Sequence, residues 1–210
     1  YKPPHTNLID LKADLEHTLL QNYDSLPFSE DILPITIEDA EQGFMSEPRL
    51  LHEEDLARKS FTRRIPVREE RAKGWRTRVV DHASESEMNA ATRMGQKLQF
   101  NGIQILVAMV LAFFTANVPI RAWKRDISQA FRRVPICCTH LDLAWVIWIA
   151  QGLVWVSQHR GMPFGTISAV HAWHRVGHAL WHILVCWLQA PCARLVDDFF
   201  GVSKENVFWT

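Results

Sequence analysis

Two adjacent aspartates, Asp197 and Asp198, lie among apolar residues late in the sequence, with Leu195–Val196 before them and Phe199–Phe200 after them. Neighbouring carboxylates repel each other unless a cation neutralises them. The flanking β-prone runs predict a hairpin with the two acids at its turn. Aspartate also suits turns for conformational reasons alone, so the pair by itself leaves both a cation site and an ordinary turn open.

A third acid, Asp126, belongs to the segment Lys124–Phe131, in which one carboxylate is followed at a short distance by Ala130 and Phe131. The stretch 122–136 is predicted to form a strand around Asp126 and then a short helical turn. This motif is also weak when it is taken alone.

Two further motifs complete the set. Arg160–Gly165 contains Pro163-Phe164-Gly165, a rigid elbow that leads into a predicted helix. Earlier in the chain, Arg76–Asp81 is basic and β-prone, and Asn89–Thr92 follows it.

In this order, over about residues 61–205, the four motifs resemble those of retrotransposon reverse transcriptases. The first catalytic motif of that family is Asp, three residues, Ala and Phe or Tyr, which Asp126–Phe131 matches. Pro163–Gly165 matches its Pro-Phe-Gly motif, and Leu195–Asp198 matches its final apolar-x-Asp-Asp motif. The resemblance implies an α+β fold: a right-hand polymerase palm, with an antiparallel sheet and packed helices, plus fingers but no thumb.

The resemblance also implies a function, which is RNA-directed synthesis of DNA from dNTPs at a primer 3′-hydroxyl. Asp126, Asp197 and Asp198 would be the catalytic residues and would hold two Mg²⁺ ions, with Mn²⁺ as an alternative. Arg78 would grip the triphosphate, because a guanidinium group suits bidentate phosphate contacts. The full set of implied nucleotide-binding residues is Arg76, Arg78, Phe131, Phe164 and Gly165.

Some positions depart from the family pattern. His82-Ala83 stands where Asp-Phe is usual, and Leu195 stands where a Tyr often precedes the acid pair. The alternative is therefore a catalytically decayed fragment that acts at most as a nucleic-acid-binding module. An RNA-templated RNA polymerase is less favoured, because Ala130 and Phe131 stand where that family usually has a second Asp.

Charge is segregated along the chain although the net charge is zero. Residues 1–56 carry thirteen acids against three bases, and residues 57–78 carry nine bases against two acids. We therefore expect an acidic helical lead-in at 1–60, a fingers part at 61–120 whose basic patch could meet phosphates, and a palm with part of the fingers at 121–210.

The expected partners are an RNA or DNA template with its primer, and a dNTP. Further polymerase domains, namely a thumb and an RNase H or recombinase, would be lost or encoded elsewhere. The four cysteines form no C-x-x-C pair and are interpreted as reduced thiols of an intracellular protein, with the nucleus as one location. No membrane role is expected: the apolar run Ile103–Phe114 is too short for a bilayer and predicts a buried helix.

The elements that must position these motifs follow from periodicity and turn residues. Pro27 and Pro34 are expected to interrupt the lead-in, with a helix starting at Thr36. Lys73-Gly74 and Gln151-Gly152 predict two hairpin turns. A single long helix is predicted for residues 89–116.

A second helix is predicted for residues 166–189. The four histidines of this segment recur on one helical face and are interpreted as a polar or half-buried stripe; a metal site is less favoured, because no Cys or acid is expected beside them at ligand spacing. They are His171, His174, His178 and His182.

Overall fold

The computed structural model describes residues 8–23, 28–57, 59–72, 74–86 and 88–205. Its helices are α1 (Leu8–Tyr23), α2 (Ile32–Glu41), α3 (Glu53–Leu56), α4 (Met88–Ala91), α5 (Ile103–Thr115) and α6 (Ile167–His182), which continues into a π-helical turn, Ile183–Trp187. Its strands are β1 (Arg49–Leu50), β2 (Phe61–Arg71), β3 (Gly74–Asp81), β4 (Ile120–Asp126), β5 (Trp145–Ala150), β6 (Leu153–Gln158), β7 (Cys192–Leu195) and β8 (Asp198–Lys204). The chain is α+β.

The polypeptide divides into two compact units, each built from two segments. Unit 1 comprises Tyr1–Arg93 and Arg132–Ile167, and unit 2 comprises Met94–Phe131 and Ser168–Thr210. The two units are defined by the contacts within each of them and not by function. The predicted division into functional parts at residues 60 and 120 therefore stays a prediction.

Unit 1 contains a five-stranded sheet in the order β1-β6-β5-β2-β3. Strand β5 is buried along its whole length, and Trp148 within it has no exposed surface. Because an apolar strand with both faces covered belongs in the middle of a sheet, β5 organises the hydrophobic core of this unit. The sheet is mixed, since the start of β2 pairs in parallel with β5, whereas a purely antiparallel sheet was expected.

Hairpin turns form where the turn residues predicted them. Gln151 and Gly152 both adopt positive φ, 55° and 69°, which is the geometry of a two-residue turn that matches strand twist. Strands β2 and β3 pair from Arg64–Asp81 to Arg71–Gly74, so the basic hairpin is also confirmed, although Lys73 at its turn lies outside the described residues.

Two predictions about helices were wrong in detail. Helix α2 begins at Ile32 and contains Pro34 in its first turn, where the missing N–H costs no helical hydrogen bond. The helix predicted over 89–116 is two helices, α4 and α5, separated by residues 92–102, a stretch that includes Gly95 and Gly102. Pro27 lies outside the described residues.

Helix α5 was expected to be buried, but none of its residues is. It packs on β7 and β8 of unit 2, while Ile103 and Phe114 remain 65% and 77% exposed. Only one side of this largely apolar helix is therefore covered.

Unit 2 contains the antiparallel sheet β4-β8-β7. Helix α6 buries Ala169, Trp173 and Gly177, which recur every four residues and form its inner face. The three-stranded sheet matches the antiparallel expectation.

An ionic network lies buried in unit 1 and joins segments that are distant in sequence. The fully buried Arg64 guanidinium donates to Asp39 Oδ2 at 2.7 Å, and its Nε lies 3.8 Å from Asp81 Oδ1. Arg132 pairs with the other oxygen of Asp39, and His159 donates from Nε2 to Asp81 Oδ2 at 2.9 Å. Two carboxylates thus face two guanidinium groups, which is the condition under which buried charge is tolerated.

Replacing Arg64, the central cation of this network, should destabilise the folded protein. We expect Arg64→Met to lower the free energy of unfolding by about 3–5 kcal/mol, because it leaves two buried carboxylates without their shared partner. Urea denaturation monitored by circular dichroism measures the effect. Arg71→Met is the matched control: Arg71 pairs with Glu69 on the surface, and a surface ion pair contributes little. Equal stability of the two variants would contradict the assignment.

The same network predicts acid sensitivity. Burial raises the pKa of Asp81, but the charges of Arg64, His159 and Arg132 together outweigh it and lower the pKa from 3.8 to about 2. A carboxylate with a lowered folded-state pKa stabilises the protein above its unfolded pKa, so this contribution, about 2 kcal/mol, should be lost as the pH falls from about 4 to about 2. The unfolding free energy of Asp81→Asn should be lower but less dependent on pH across this interval than that of the wild type.

Candidate active site

The three aspartates meet at one end of the unit 2 sheet. Strands β4 and β8 pair so that Asp126 lies directly opposite Asp198, and the Ile127 N–H donates to the Asp197 carbonyl at 3.2 Å. Directly paired residues in an antiparallel sheet have Cβ atoms about 4.5–5.5 Å apart. The structure therefore brings together the residues that the sequence predicted as catalytic.

The turn that carries Asp197 is held in an unusual backbone conformation. Val196 has φ of 55°, which is uncommon and costly for a β-branched residue. Its carbonyl accepts two hydrogen bonds, from Trp173 Nε1 at 2.9 Å and from Arg194 Nη1 at 2.6 Å. Both donors are buried, so the position of Asp197 is set from beneath by α6 and β7.

Sequence reasoning missed Arg194 as the organiser of this turn. Its backbone N–H donates to Asn101 Oδ1, and its Nη2 donates to His174 Nδ1 at 3.0 Å. Gly177 leaves the space it needs, because a Cβ there would lie 2.7 Å from Arg194 Nη1. Burial, followed by the Arg194 charge, lowers the pKa of His174. Arginine was visible in the sequence beside Leu195, but nothing local indicated that its side chain turns inward.

Negative charge at this end of the sheet is incompletely neutralised. Burial raises the pKa of Asp197, and the charges of Asp126 and Asp198 raise it further. Lys124 answers part of this charge: its Nζ lies 2.9 Å from Asp198 Oδ2, and the hydrogen bond to Asp198 raises the pKa of Lys124. The largely exposed Lys124 ammonium group thus interacts with all three carboxylates.

The donor chemistry and backbone placement fit a site for hard divalent cations, since carboxylate oxygens are the ligands that Mg²⁺ prefers. The side chains are not yet arranged around a common point: within the described segments, no group of three or more His, Cys, Asp or Glu side chains is positioned to hold a metal ion. Asp198 instead points to Lys124. Binding of an ion would require this ion pair to open.

The predicted nucleotide-binding residues of unit 1 form a second group. Arg78 is exposed on β3, where its Nη1 donates to Glu69 Oε1 at 3.0 Å and its guanidinium lies 5.4 Å from the Phe164 ring centre. Arg132 lies over the same ring at 5.8 Å. Arg76 is exposed and two residues before Arg78, so both arginines belong to the same face of the strand.

The elbow at Gly165 is held by the side chain of Asn89, a residue of the fourth motif. Gly165 has φ of +91°, and a Cβ there would lie 2.8 Å from the Asp81 carbonyl, so only glycine fits without strain. Asn89 Nδ2 donates to the Gly165 carbonyl, and Asn89 Oδ1 accepts from the Ile167 N–H, both at 2.9 Å. Asn89 thereby joins the elbow to the start of α6.

The predicted site residues thus fall into two sets. Unit 2 holds Asp126, Asp197, Asp198 and also Phe131, which begins a 3-10 turn and is 9% exposed. Unit 1 holds the other four, Arg76, Arg78, Phe164 and Gly165.

Comparison with protein-family models and with curated proteins found no match to the sequence. None of the helices in the described parts of the chain is long and apolar enough to cross a membrane.

Opening the Lys124–Asp198 ion pair should favour cation binding. We expect Lys124→Met to bind Mn²⁺ severalfold more tightly than the wild type, measured by electron paramagnetic resonance of free Mn²⁺. Lys204→Met is the control, because Lys204 is at the opposite end of β8, paired with Ile120. An equal gain in both variants would show a general charge effect and would contradict a specific role for Lys124.

Proposed function

We propose that this chain is the fingers and palm part of a retroelement reverse transcriptase, an RNA-directed DNA polymerase of the right-hand type. The observation that carries the proposal is the pairing of Asp126 with Asp198 across β4 and β8, with Asp197 at the adjoining turn. Two-metal phosphoryl transfer needs carboxylates close to one another, and this pairing supports the proposal for that reason.

The four motifs in family order add a second line of support. Arg78 on β3 lies near the Phe164 ring of the elbow. Its side chain is exposed and carries the planar guanidinium group that suits binding of a triphosphate. Gly165 and Asn89 give the elbow a defined shape. In this proposal Phe164 and Gly165 face the nucleotide sugar and the template, and Phe131 excludes a ribose 2′-hydroxyl.

The protein groups have distinct tasks in the proposed reaction. Two Mg²⁺ ions, when bound, would supply Lewis-acid activation of the primer hydroxyl and charge neutralisation at the leaving pyrophosphate. Asp126 and Asp197 would hold them, with Asp198 as the more peripheral ligand. Arg78 would leave Glu69 for the triphosphate, and Lys124 would leave Asp198.

A second candidate function is nucleic-acid binding without catalysis. The β2–β3 hairpin favours it, because Trp75 is 60% exposed and Arg68 lies over both Phe28, at 4.2 Å, and Trp75, at 5.3 Å. Exposed aromatic and guanidinium planes stack on unpaired bases. His82-Ala83 in place of the usual Asp-Phe also supports loss of activity.

We expect weak, Mg²⁺-dependent extension of a DNA primer on an RNA template at low salt. Most affinity for a duplex comes from phosphate contacts, and a fingers–palm part supplies few of them, so extension should stop after few nucleotides. Long products from the unmodified chain would contradict the expected weakness. Products that persist in Asp197→Asn would remove the metal-ligand assignment.

Asp197→Asn should abolish activity but increase the stability of the metal-free protein. A carboxylate whose folded pKa is raised destabilises the folded protein as the pH rises through that pKa, so its removal should raise the melting temperature of the metal-free protein at neutral pH. Differential scanning fluorimetry with EDTA measures this change. A lower melting temperature would indicate that Asp197 has a structural role.

If the chain is only a binding module, a different pattern is expected. Fluorescence anisotropy with labelled single-stranded RNA should show binding that Trp75→Ala weakens and Asp197→Asn leaves unchanged, with no extension by any variant. Leu153→Ala is the matched control, because Leu153 is an exposed apolar residue of a different hairpin.

A further inference from the structure

A thiol and an imidazole face each other at the end of α6, in unit 2. His182 is the last residue of α6, and Cys186 lies four residues later in the π-helical turn. Cys186 Sγ is 3.6 Å from His182 Nδ1. Both residues are exposed, and the thiol is not in a disulfide.

The separation of these two atoms matches a metal chelate. Zinc bonds to sulfur at about 2.3 Å and to imidazole nitrogen at about 2.0–2.1 Å, and at a tetrahedral angle these lengths place the two ligand atoms about 3.6 Å apart. The pair therefore already has the spacing that one tetrahedral ion would impose. π-Helical turns are rare and occur frequently at functional sites.

Two other histidines of the helix face, His174 and His178, make contacts of their own. His174 accepts a hydrogen bond from Arg194 at Nδ1, so that nitrogen cannot bind a metal. The His178 ring packs against Trp181, with centres 5.4 Å apart, and stacks on His174. The prediction that no Cys lies beside the four histidines at ligand spacing was wrong, because Cys186 follows His182 by four residues.

We propose that His182 and Cys186 form a two-ligand site for a borderline-soft transition-metal ion such as Zn²⁺. The site is separate from the three aspartates in chemistry, since thiolate and imidazole select transition metals whereas carboxylates select Mg²⁺. Binding forms a metal–sulfur and a metal–nitrogen bond and releases the thiol proton to the solvent, with no change of oxidation state. Water fills the remaining coordination positions.

Cobalt(II) is the probe, because a Co²⁺–thiolate bond gives a charge-transfer absorption band that carboxylate coordination does not give. The full chain is titrated anaerobically with a non-thiol reductant, in excess Mg²⁺ to occupy carboxylates. We expect one equivalent of Co²⁺ to produce the band and Zn²⁺ to abolish it. Cys186→Ser should eliminate the band, and His182→Gln should weaken binding at least roughly tenfold, since loss of even an outer-shell partner costs about 10- to 100-fold.

Matched controls separate this site from other thiols and imidazoles. His178→Gln removes an exposed imidazole of the same helix face, and the double variant Cys137→Ser/Cys138→Ser removes the exposed thiols of unit 1; neither should change the titration. A band that persists in Cys186→Ser, or unchanged affinity in His182→Gln, would overturn the proposal and leave an ordinary thiol–imidazole hydrogen bond. Primer extension plays no part in this test, so the polymerase proposal can fail without affecting it.

Discussion

Complete burial of the Arg64 guanidinium is the constraint on which unit 1 depends. A buried cation is tolerated only with matched carboxylates, so Arg64 requires Asp39 from α2 and Asp81 from β3 to lie on either side of it. The same network positions the candidate nucleotide-binding residues: the Asp81 carbonyl lies against Gly165, and Arg132 extends from Asp39 to the Phe164 ring. The hairpin and the elbow are therefore held in register by charge as well as by hydrophobic packing.

Local signals in the sequence predicted the parts of the fold that are locally determined. Gln151-Gly152 forms the predicted tight turn, and the apolar flanks of the acid pair predicted the hairpin in which Asp197 lies at the turn and Asp198 begins β8. The parallel pairing of β2 with β5 was not predictable in this way, because it joins residues more than eighty positions apart and follows from burial of both faces of β5. The break between α4 and α5 was not predicted, although the stretch between them is mostly polar and contains Gly95 and Gly102.

The candidate site also combines features that the sequence predicted with features that depend on tertiary structure. Motif order alone identified Asp126 and the acid pair, and strand register then placed Asp126 against Asp198. The contacts that hold the turn and the elbow in place could not be predicted from the sequence. Arg194 lies among apolar residues of β7, and Asn89 hydrogen-bonds to Gly165, which is 76 residues away in sequence. Polar side chains that turn inward to bond a carbonyl leave no periodic pattern, because each such contact depends on the tertiary structure and not on neighbouring residues.

The two units treat negative charge in opposite ways, and this contrast favours a functional interpretation of the acids. In unit 1, the buried Asp81 has its pKa lowered because cations outweigh the effect of burial. In unit 2, Asp197 has its pKa raised, since burial and two like charges outweigh the ammonium group of Lys124. A purely structural carboxylate in that position would be replaced by asparagine at a gain in stability. A strained Val196 turn that holds such a group in place suits the proposed cation site, because the unfavourable charge would become binding energy when a cation binds.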